Sequence, residues 1–263
     1  MNPPSTAPDH QPRKRFGQHF LHDRNVIGKI LLAVAPAPDD FLVEIGPGLG
    51  ALTLPLLERC GTLTAVELDR DVIPRLQEQA AGKGTLRIIQ GDALKTDFRA
   101  LVPPNRKIRL VGNLPYNIST PLLFHVLDQA DAITDMHFML QKEVVRRMAA
   151  KPGGKEYGRL TVMLAARCRV EPLFTIGAGA FRPPPRVESS FVRLIPHVMP
   201  PFPLADPVRF AQLVSQAFSH RRKTLLNALW GLSDEGDIRA AGLDPRARPE
   251  TLSAGDYARL AAH

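Results

Sequence analysis

Residues 41–50 read Phe41-Leu42-Val43-Glu44-Ile45-Gly46-Pro47-Gly48-Leu49-Gly50. Five mostly apolar residues, the pattern of a buried strand, run straight into a turn with glycine at every second position. A helix is expected next, over 51–60. Such a unit commits its neighbourhood to a parallel sheet, because the helix carries the chain back to start the next strand in the same direction. The rest of this half keeps the rhythm: strand 63–67, helix 70–80, strands 85–90 and 107–112, a helix from Ser119 to Gln129, strand 133–140 and helix 142–150. The expected fold class is α/β, a mainly parallel sheet with helices on both faces. Ligands of such sheets bind beyond the carboxyl ends of the strands, so residues at those ends are the first candidates for function.

After residue 150 the pattern changes. The stretch Phe181 to Leu194 is Pro-rich and then strand-like, and Pro196, Pro200, Pro201, Pro203 and Pro207 follow closely. Phe210, Leu213, Val214, Ala217, Phe218, Leu225 and Leu229 then recur at helical spacing. The expected organisation is a flexible tail at 1–12, a main domain at 13–196, a Pro-rich linker at 197–206 and a small all-α domain at 207–263.

The 263 residues, 44% hydrophobic and 23% charged, suit one large and one small folded domain and exclude a largely disordered chain. A formal net charge of +8 favours a polyanionic partner, since neutralising phosphates releases condensed counterions. Cys60 and Cys168 lie in apolar surroundings and in no C-x-x-C pair, which argues against a disulfide framework and fits a reducing compartment. No apolar run approaches the roughly 20 residues of a membrane span, and Met1-Asn2-Pro3-Pro4-Ser5 carries no signal core. A cytoplasmic protein without a membrane partner is expected. The histidines show no ligand spacing, so no metal is expected.

The chemistry is carried by strand ends. The glycines at 46, 48 and 50 allow a sharp turn and a close backbone approach to a ligand, and Gly46-x-Gly48-x-x-Ala51 loosely fits the dinucleotide fingerprint. That turn alone does not choose between NAD and S-adenosylmethionine. Glu67 closes the second strand about 20 residues on, where a carboxylate accepts from ribose hydroxyls. Asp92, after the third strand, suits an exocyclic amine of the cofactor, or equally a helix cap. Asn113-Leu114-Pro115-Tyr116 ends the strand at 108–112 and is the most specific signal. An exocyclic adenine amine is a poor nucleophile because its lone pair is delocalised into the ring. The side-chain oxygen of Asn113 and the carbonyl of Leu114 are suited to accept both of its N–H groups and draw the nitrogen towards tetrahedral geometry. Leu114 precedes a proline and is held extended. Tyr116 is suited to stack on the base. Methyl transfer from a sulfonium then needs positioning and electrostatics rather than a strong base.

By these motifs taken together, the chain resembles the ribosomal RNA adenine dimethyltransferases, whose bacterial members confer kasugamycin sensitivity. The resemblance runs from about Lys14 to about Leu229. Besides the motifs above it rests on Arg15-Phe16-Gly17-Gln18-His19-Phe20-Leu21, Gly91-Asp92-Ala93, Asn117-Ile118-Ser119-Thr120, Gln141-Lys142-Glu143-Val144, Tyr157-Gly158-Arg159-Leu160 and Phe181-Arg182-Pro183-Pro184-Pro185-Arg186-Val187-Glu188-Ser189. It implies a Rossmann-like, seven-stranded S-adenosylmethionine-dependent methyltransferase domain at 13–196 and a helical RNA-binding domain at 207–263. It implies two methyl transfers onto each of two adjacent adenines in a hairpin loop near the 3′ end of small-subunit (16S) ribosomal RNA. By the same resemblance His19 and Leu21 line the cofactor with Gly46, Gly48, Glu67, Asp92 and Asn113; some members carry Asn in place of His19. Phe181, before a rigid Pro run, is expected to stack on the target base opposite Tyr116, aromatic stacking contributing about 1–3 kcal/mol per base.

Phosphate contacts are expected from Lys14 and Arg15, from Arg146 and Arg147, and from Arg221, Arg222 and Lys223 in Ser219-His220-Arg221-Arg222-Lys223, read as part of a helix. The partner is then the small ribosomal subunit, and a monomer suits one large ribonucleoprotein. Three other readings compete: the related macrolide-resistance enzymes acting on large-subunit RNA, a ribosome-assembly factor whose binding matters more than its chemistry, and an NAD-dependent oxidoreductase, which leaves Asn113 to Tyr116 unexplained.

Overall fold

The computed structural model describes residues 19–263. The tail expected at 1–12, and Lys14 and Arg15, lie outside the described residues. The chain forms two compact units: the first runs to Gln141 and takes up Phe174–Phe191, the second comprises Lys142–Leu173 and Val192–His263.

In the first unit β1 (Phe20–Leu21) and α1 (Arg24–Val34) precede the alternating strands and helices, which are β2 (Phe41–Ile45), α2 (Thr53–Cys60), β3 (Thr62–Glu67), α3 (Ile73–Ala80), β4 (Thr85–Gln90), β5 (Ile108–Asn113), α4 (Ser119–Leu127) and β6 (Ile133–Gln141). Helices α5 (Lys142–Met148) and α6 (Arg159–Ala165) follow, then β7 (Cys168–Ile176), β8 (Phe181–Arg182) and β9 (Ser189–Pro196). Seven strands make one sheet in the order β4-β3-β2-β5-β6-β9-β7, and β1 pairs antiparallel with β8. The pairs β3–β4, β2–β3, β2–β5 and β5–β6 are parallel, the α/β sheet expected. Strand β2 is buried at every residue from Leu42 to Ile45, as a strand covered on both faces must be.

Local chemistry sets several element ends. The Asp23 side chain accepts from the amides of Asn25 and Val26 and starts α1. Gly112 in β5 is required by close approach, since a Cβ there would sit 2.6 Å from the Ile45 carbonyl oxygen of β2. At the amino ends of the strands, Arg109 ties neighbours together: its guanidinium reaches Asp40 at 2.7 Å, Asp135 at 2.9 Å and the Val34 carbonyl at 2.7 Å. Strand β7 lay outside the expectation because Pro172 breaks its sequence pattern. It closes the sheet order, and an edge strand tolerates a missing N–H.

In the second unit α7 (Pro207–Ser219), α8 (Leu225–Ala228), α9 (Glu235–Ala240) and α10 (Ala254–Leu260) pack around Phe210, Leu213, Val214, Leu225, Leu229 and Tyr257. The helix expected from 207 is present, with Asp206 capping its first amides and Pro207 in its first turn. Tyr157 and Val162 belong to the same core, so the helical cluster draws on residues that a division at 196 leaves elsewhere. The basic run 220–223 is a turn rather than part of a helix. The Ser219 hydroxyl donates to the Gln216 carbonyl at 2.7 Å and the His220 ring nitrogen lies 3.3 Å from the same oxygen. These side chains take the acceptor that a further helical turn would have used.

Candidate active site

The register of the parallel strands builds the site. Ile45 pairs with Val66 and with Gly112, and Glu67 pairs with Gln90, so β2, β3, β4 and β5 end nearly level. The residues just past those ends face one cavity of about 390 Å³. It gathers His19, Leu21, Gly46, Gly48, Glu67, Asp92, Asn113, Leu114 and Tyr116. Residues up to 97 positions apart in sequence thus line one cavity, and the pairing of β1 with β8 brings in Leu21 and, just before the strand, His19.

The floor is polar and already held in shape. Glu67 accepts from the Gly48 amide at 3.0 Å through Oε2 and from the Asp69 amide at 2.8 Å through Oε1. Each oxygen keeps further acceptor capacity, so a vicinal diol can be gripped by a carboxylate that no longer rotates. Burial pushes the Glu67 carboxyl above the usual range, and those two amides pull it back. Gly48 has φ +53, and a Cβ on it would press on the Phe20 ring at 3.0 Å. A side chain there would be strained and would fill the approach to Glu67. Asp92 accepts from the Leu94 amide at 2.9 Å; it is both a cap and a wall residue, which joins its two sequence readings. Glu44, one strand away from Glu67, also faces the cavity. Burial raises its carboxyl to about 8, with the nearby Glu67 charge adding to the effect.

The wall above is the Asn113–Tyr116 segment. The Asn113 side-chain amide donates to the His19 carbonyl at 2.9 Å. A carbonyl only accepts, so the NH₂ is committed there and Oδ1 is the atom left to accept from an amine in the cavity. The Leu114 amide donates to the Met139 carbonyl at 3.2 Å. The Tyr116 carbonyl accepts from the Ser119 hydroxyl at 3.1 Å. The Tyr116 phenol lies 2.7 Å from the Ser189 hydroxyl, and its ring stacks with that of His19 at 5.8 Å between centroids. Burial raises the phenol above its usual range, only partly countered by Ser189, so the Tyr116 hydroxyl keeps its proton at physiological pH. The His19 ring is itself anchored 2.8 Å from the Pro183 carbonyl.

Phe181 departs from expectation. Its ring is 1% exposed inside the hydrophobic cluster of Ile30, Leu31, Val34 and Phe191, and it does not line the cavity. Pairing of Leu21 with Phe181 sets β1 in place, so Phe181 supports the wall from behind instead of presenting a face to a base. Among residues that sequence reasoning passed over, Ser189 and Glu44 stand out. Both sit inside quoted motifs, but neither signals its contact locally.

In the second unit Arg146, Arg147, Arg222 and Lys223 are exposed, and Arg147 pairs with Glu143 one helical turn away. Arg221 is engaged differently. Its guanidinium donates to the Lys155 carbonyl at 3.0 Å and the Gly154 carbonyl at 3.2 Å, with Glu250 at 3.9 Å. Among the described residues there is no group of three or more His, Cys, Asp or Glu placed to hold a metal, and no helix is long and apolar enough to cross a membrane.

A family model described as ribosomal RNA adenine dimethylase matches residues 9–263. A protein of Nitrosococcus oceani named ribosomal RNA small subunit methyltransferase A is 59% identical over 251 residues, 95% of this chain and 95% of its own length. Its namesake in Pseudomonas putida is 54% identical over 252 residues, 96% of this chain and 94% of that one. Among solved structures, a dimethyladenosine transferase from Plasmodium falciparum superposes with a TM-score of 0.75 at 25% identity, covering 92% of this chain and 96% of that one. The 23S rRNA methyltransferase ErmE superposes with a TM-score of 0.71 at 26% identity, covering 92% and 98%.

Proposed function

This chain belongs to the ribosomal RNA adenine dimethylase family, and from that membership we propose that it transfers methyl groups from S-adenosylmethionine to the N6 amines of two adjacent adenosines. These lie in the 3′-terminal hairpin loop of 16S rRNA and become N6,N6-dimethyladenosine late in small-subunit biogenesis. The observation that carries the chemistry is the committed Asn113 amide, which leaves Oδ1 as the side-chain atom able to accept from a ligand in the cavity that Asn113 lines with Leu114 and Tyr116. The cavity fits the cofactor: Glu67 is positioned for two ribose hydroxyls, Asp92 for an adenine amine, and Gly46, Gly48, His19 and Leu21 for close backbone and apolar contact.

When bound, the cofactor supplies an electrophilic methyl group on a sulfonium. The chain does the rest. Asn113 Oδ1 and the Leu114 carbonyl accept the two N–H groups of the target amine and localise its lone pair. Tyr116 stacks on the base, and the proton leaves after transfer, so no strong base is needed. Lys14, Arg15, Arg146, Arg147, Arg222 and Lys223 contact phosphates; Arg221 acts by shaping the loop at Gly154 and Lys155. The enzyme works as a monomer in the cytoplasm, and its grip on an immature subunit gives it a role in assembly beside its chemistry.

Action on large-subunit RNA is the second reading, favoured by the superposition on ErmE; the names of the curated relatives support the small subunit. The test is transfer of radiolabelled methyl groups from S-adenosylmethionine to small subunits lacking these modifications, with mature subunits and naked large-subunit RNA alongside. About four methyl groups per small subunit, recovered as N6,N6-dimethyladenosine, are expected from two transfers at each of two adenines. Label only in large-subunit RNA would transfer the assignment to the second reading.

A further inference from the structure

Tyr116 stands in the turn between β5 and α4, and its own stretch of backbone gives its ring no fixed direction. We infer that Ser189, the first residue of β9, is a positioning residue that anchors the Tyr116 ring for methyl transfer; this rests on the reading that Tyr116 stacks on the target base. The two hydroxyls are 2.7 Å apart, and Ser189 is fully buried. Ser189 is shut off from water while Tyr116 is half-buried at the cavity wall, so the serine hydroxyl has the phenol as its partner and the bond keeps its geometry. At the other end of the residue, the Ser119 hydroxyl holds the Tyr116 carbonyl at 3.1 Å. Two buried serines therefore pin one tyrosine at backbone and tip. The phenol oxygen lies on the long axis of the ring, so the Ser189 bond selects the side-chain rotamer without preventing ring flips. The plane of the ring is set instead by the His19 ring beside it, inclined at 29°.

The consequence is specific. A stacking surface contributes only where it meets the base while the amine lies against Asn113, and small misplacements of such a surface cost rate steeply. A phenylalanine at 116 offers the same aromatic face but no tether. Ser189 is thus expected to act on the turnover step, through Tyr116 alone, and to leave the Glu67 end of the cavity untouched.

A double-mutant cycle of Ser189→Ala and Tyr116→Phe, with Ser189→Cys as a conservative variant, tests this on unmodified small subunits. Each single substitution should lower kcat about three- to tenfold, the range of one lost hydrogen bond, with the Kd for S-adenosylmethionine retained and the protein still fully folded at the assay temperature despite the lost buried bond. The double variant should be no slower than Tyr116→Phe, and Ser189→Cys should recover part of the rate. Independently of substrate, the ring resonances of the protein labelled at its 3 tyrosines, with Tyr116 identified by its loss in Tyr116→Phe, should show the Tyr116 signal shifted in Ser189→Ala. Multiplying rate losses in the cycle, or a Tyr116 resonance that does not move, would overturn the inference. A wild-type enzyme that labels no adenosine in small subunits would sink the functional reading instead, and the resonance would still decide the anchor.

Discussion

The cavity at the strand ends and the basic turn at 220–223 present their polar groups in opposite ways. In the cavity the polar groups are buried or half-buried and already bonded before any ligand arrives: buried Glu67 to two amides, half-buried Asn113 to the His19 carbonyl and half-buried Tyr116 to Ser189. At the turn, Arg222 and Lys223 stand in solvent. A buried, oriented group acts at full strength in a poorly screened environment and leaves a costly vacancy when removed. A solvated cation acts through the summed field, is screened by salt and is replaceable by its neighbours. The first kind of site should fail steeply at single positions, the second gradually and in a salt-dependent way.

The steepest failure is expected at Asn113. Asn113→Ala removes the link to His19 and the acceptor proposed for the target amine, and methyl transfer should fall about 100- to 1,000-fold, the range for losing one oriented transition-state partner. A loss of only a few fold in single-turnover rate would place the oriented acceptor elsewhere. Next is Glu67→Gln, which presents an NH₂ where two backbone amides and a diol need acceptors. Titration calorimetry should show S-adenosylmethionine binding about ten- to a hundredfold more weakly, as for lost hydrogen bonds to a charged group, with RNA affinity kept.

Glu44 sharpens the contrast through pH. Its folded carboxyl titrates at about 8 against an ordinary 4.5, so the native state keeps a proton that the unfolded chain releases in between. Stability from this group is complete below pH 4.5 and declines as pH rises towards 8, by at most about 1.4 kcal/mol per pH unit. Glu44→Gln should flatten that decline in chemical denaturation between pH 5 and pH 8. An unchanged slope would mean that Glu44 is ionised in the fold.

The basic turn should give smaller and separable effects. Replacing Arg222 and Lys223 together by Ala should weaken RNA binding and reduce the slope of log K against log salt by about 1 to 2, while Arg221→Ala should leave that slope nearly unchanged. Arg221→Ala should instead lower thermal stability by about 1 kcal/mol per lost hydrogen bond to the Gly154 and Lys155 carbonyls. If Arg221 and Arg222 behaved alike in both assays, the two arginines would not have the distinct roles their contacts suggest.

Much of the molecule could be read in advance because its signals are local. The apolar run at 41–45, the glycine turn after it, Glu67 closing the next strand and Asn113 before Leu114-Pro115 are each legible within a few residues, and parallel pairing brings all strand ends to one edge. What could not be read depends on partners far away in sequence. Ser189 reaches Tyr116 across 73 positions. Phe181 is expected at a stacking position only through the family resemblance, its residue type by itself fitting core, and its pairing with Leu21 accompanies a core position. The basic run looked helical by composition, and side-chain bonds to the Gln216 carbonyl end the helix before it. Strand β7 was hidden by Pro172, which only a place at the sheet edge accommodates.

By itself, then, the amino-acid sequence determined the α/β class, the order of the elements from β2 to α5 and the residue types at those strand ends, because hydrophobic period, glycine and proline act over short distances. Tertiary structure alone decided which atom of Asn113 is spent on the His19 carbonyl, which arginine of the basic turn is committed to the fold, and what the phenol of Tyr116 bonds to. Those outcomes depend on hydrogen bonds between segments that meet only once the core has closed.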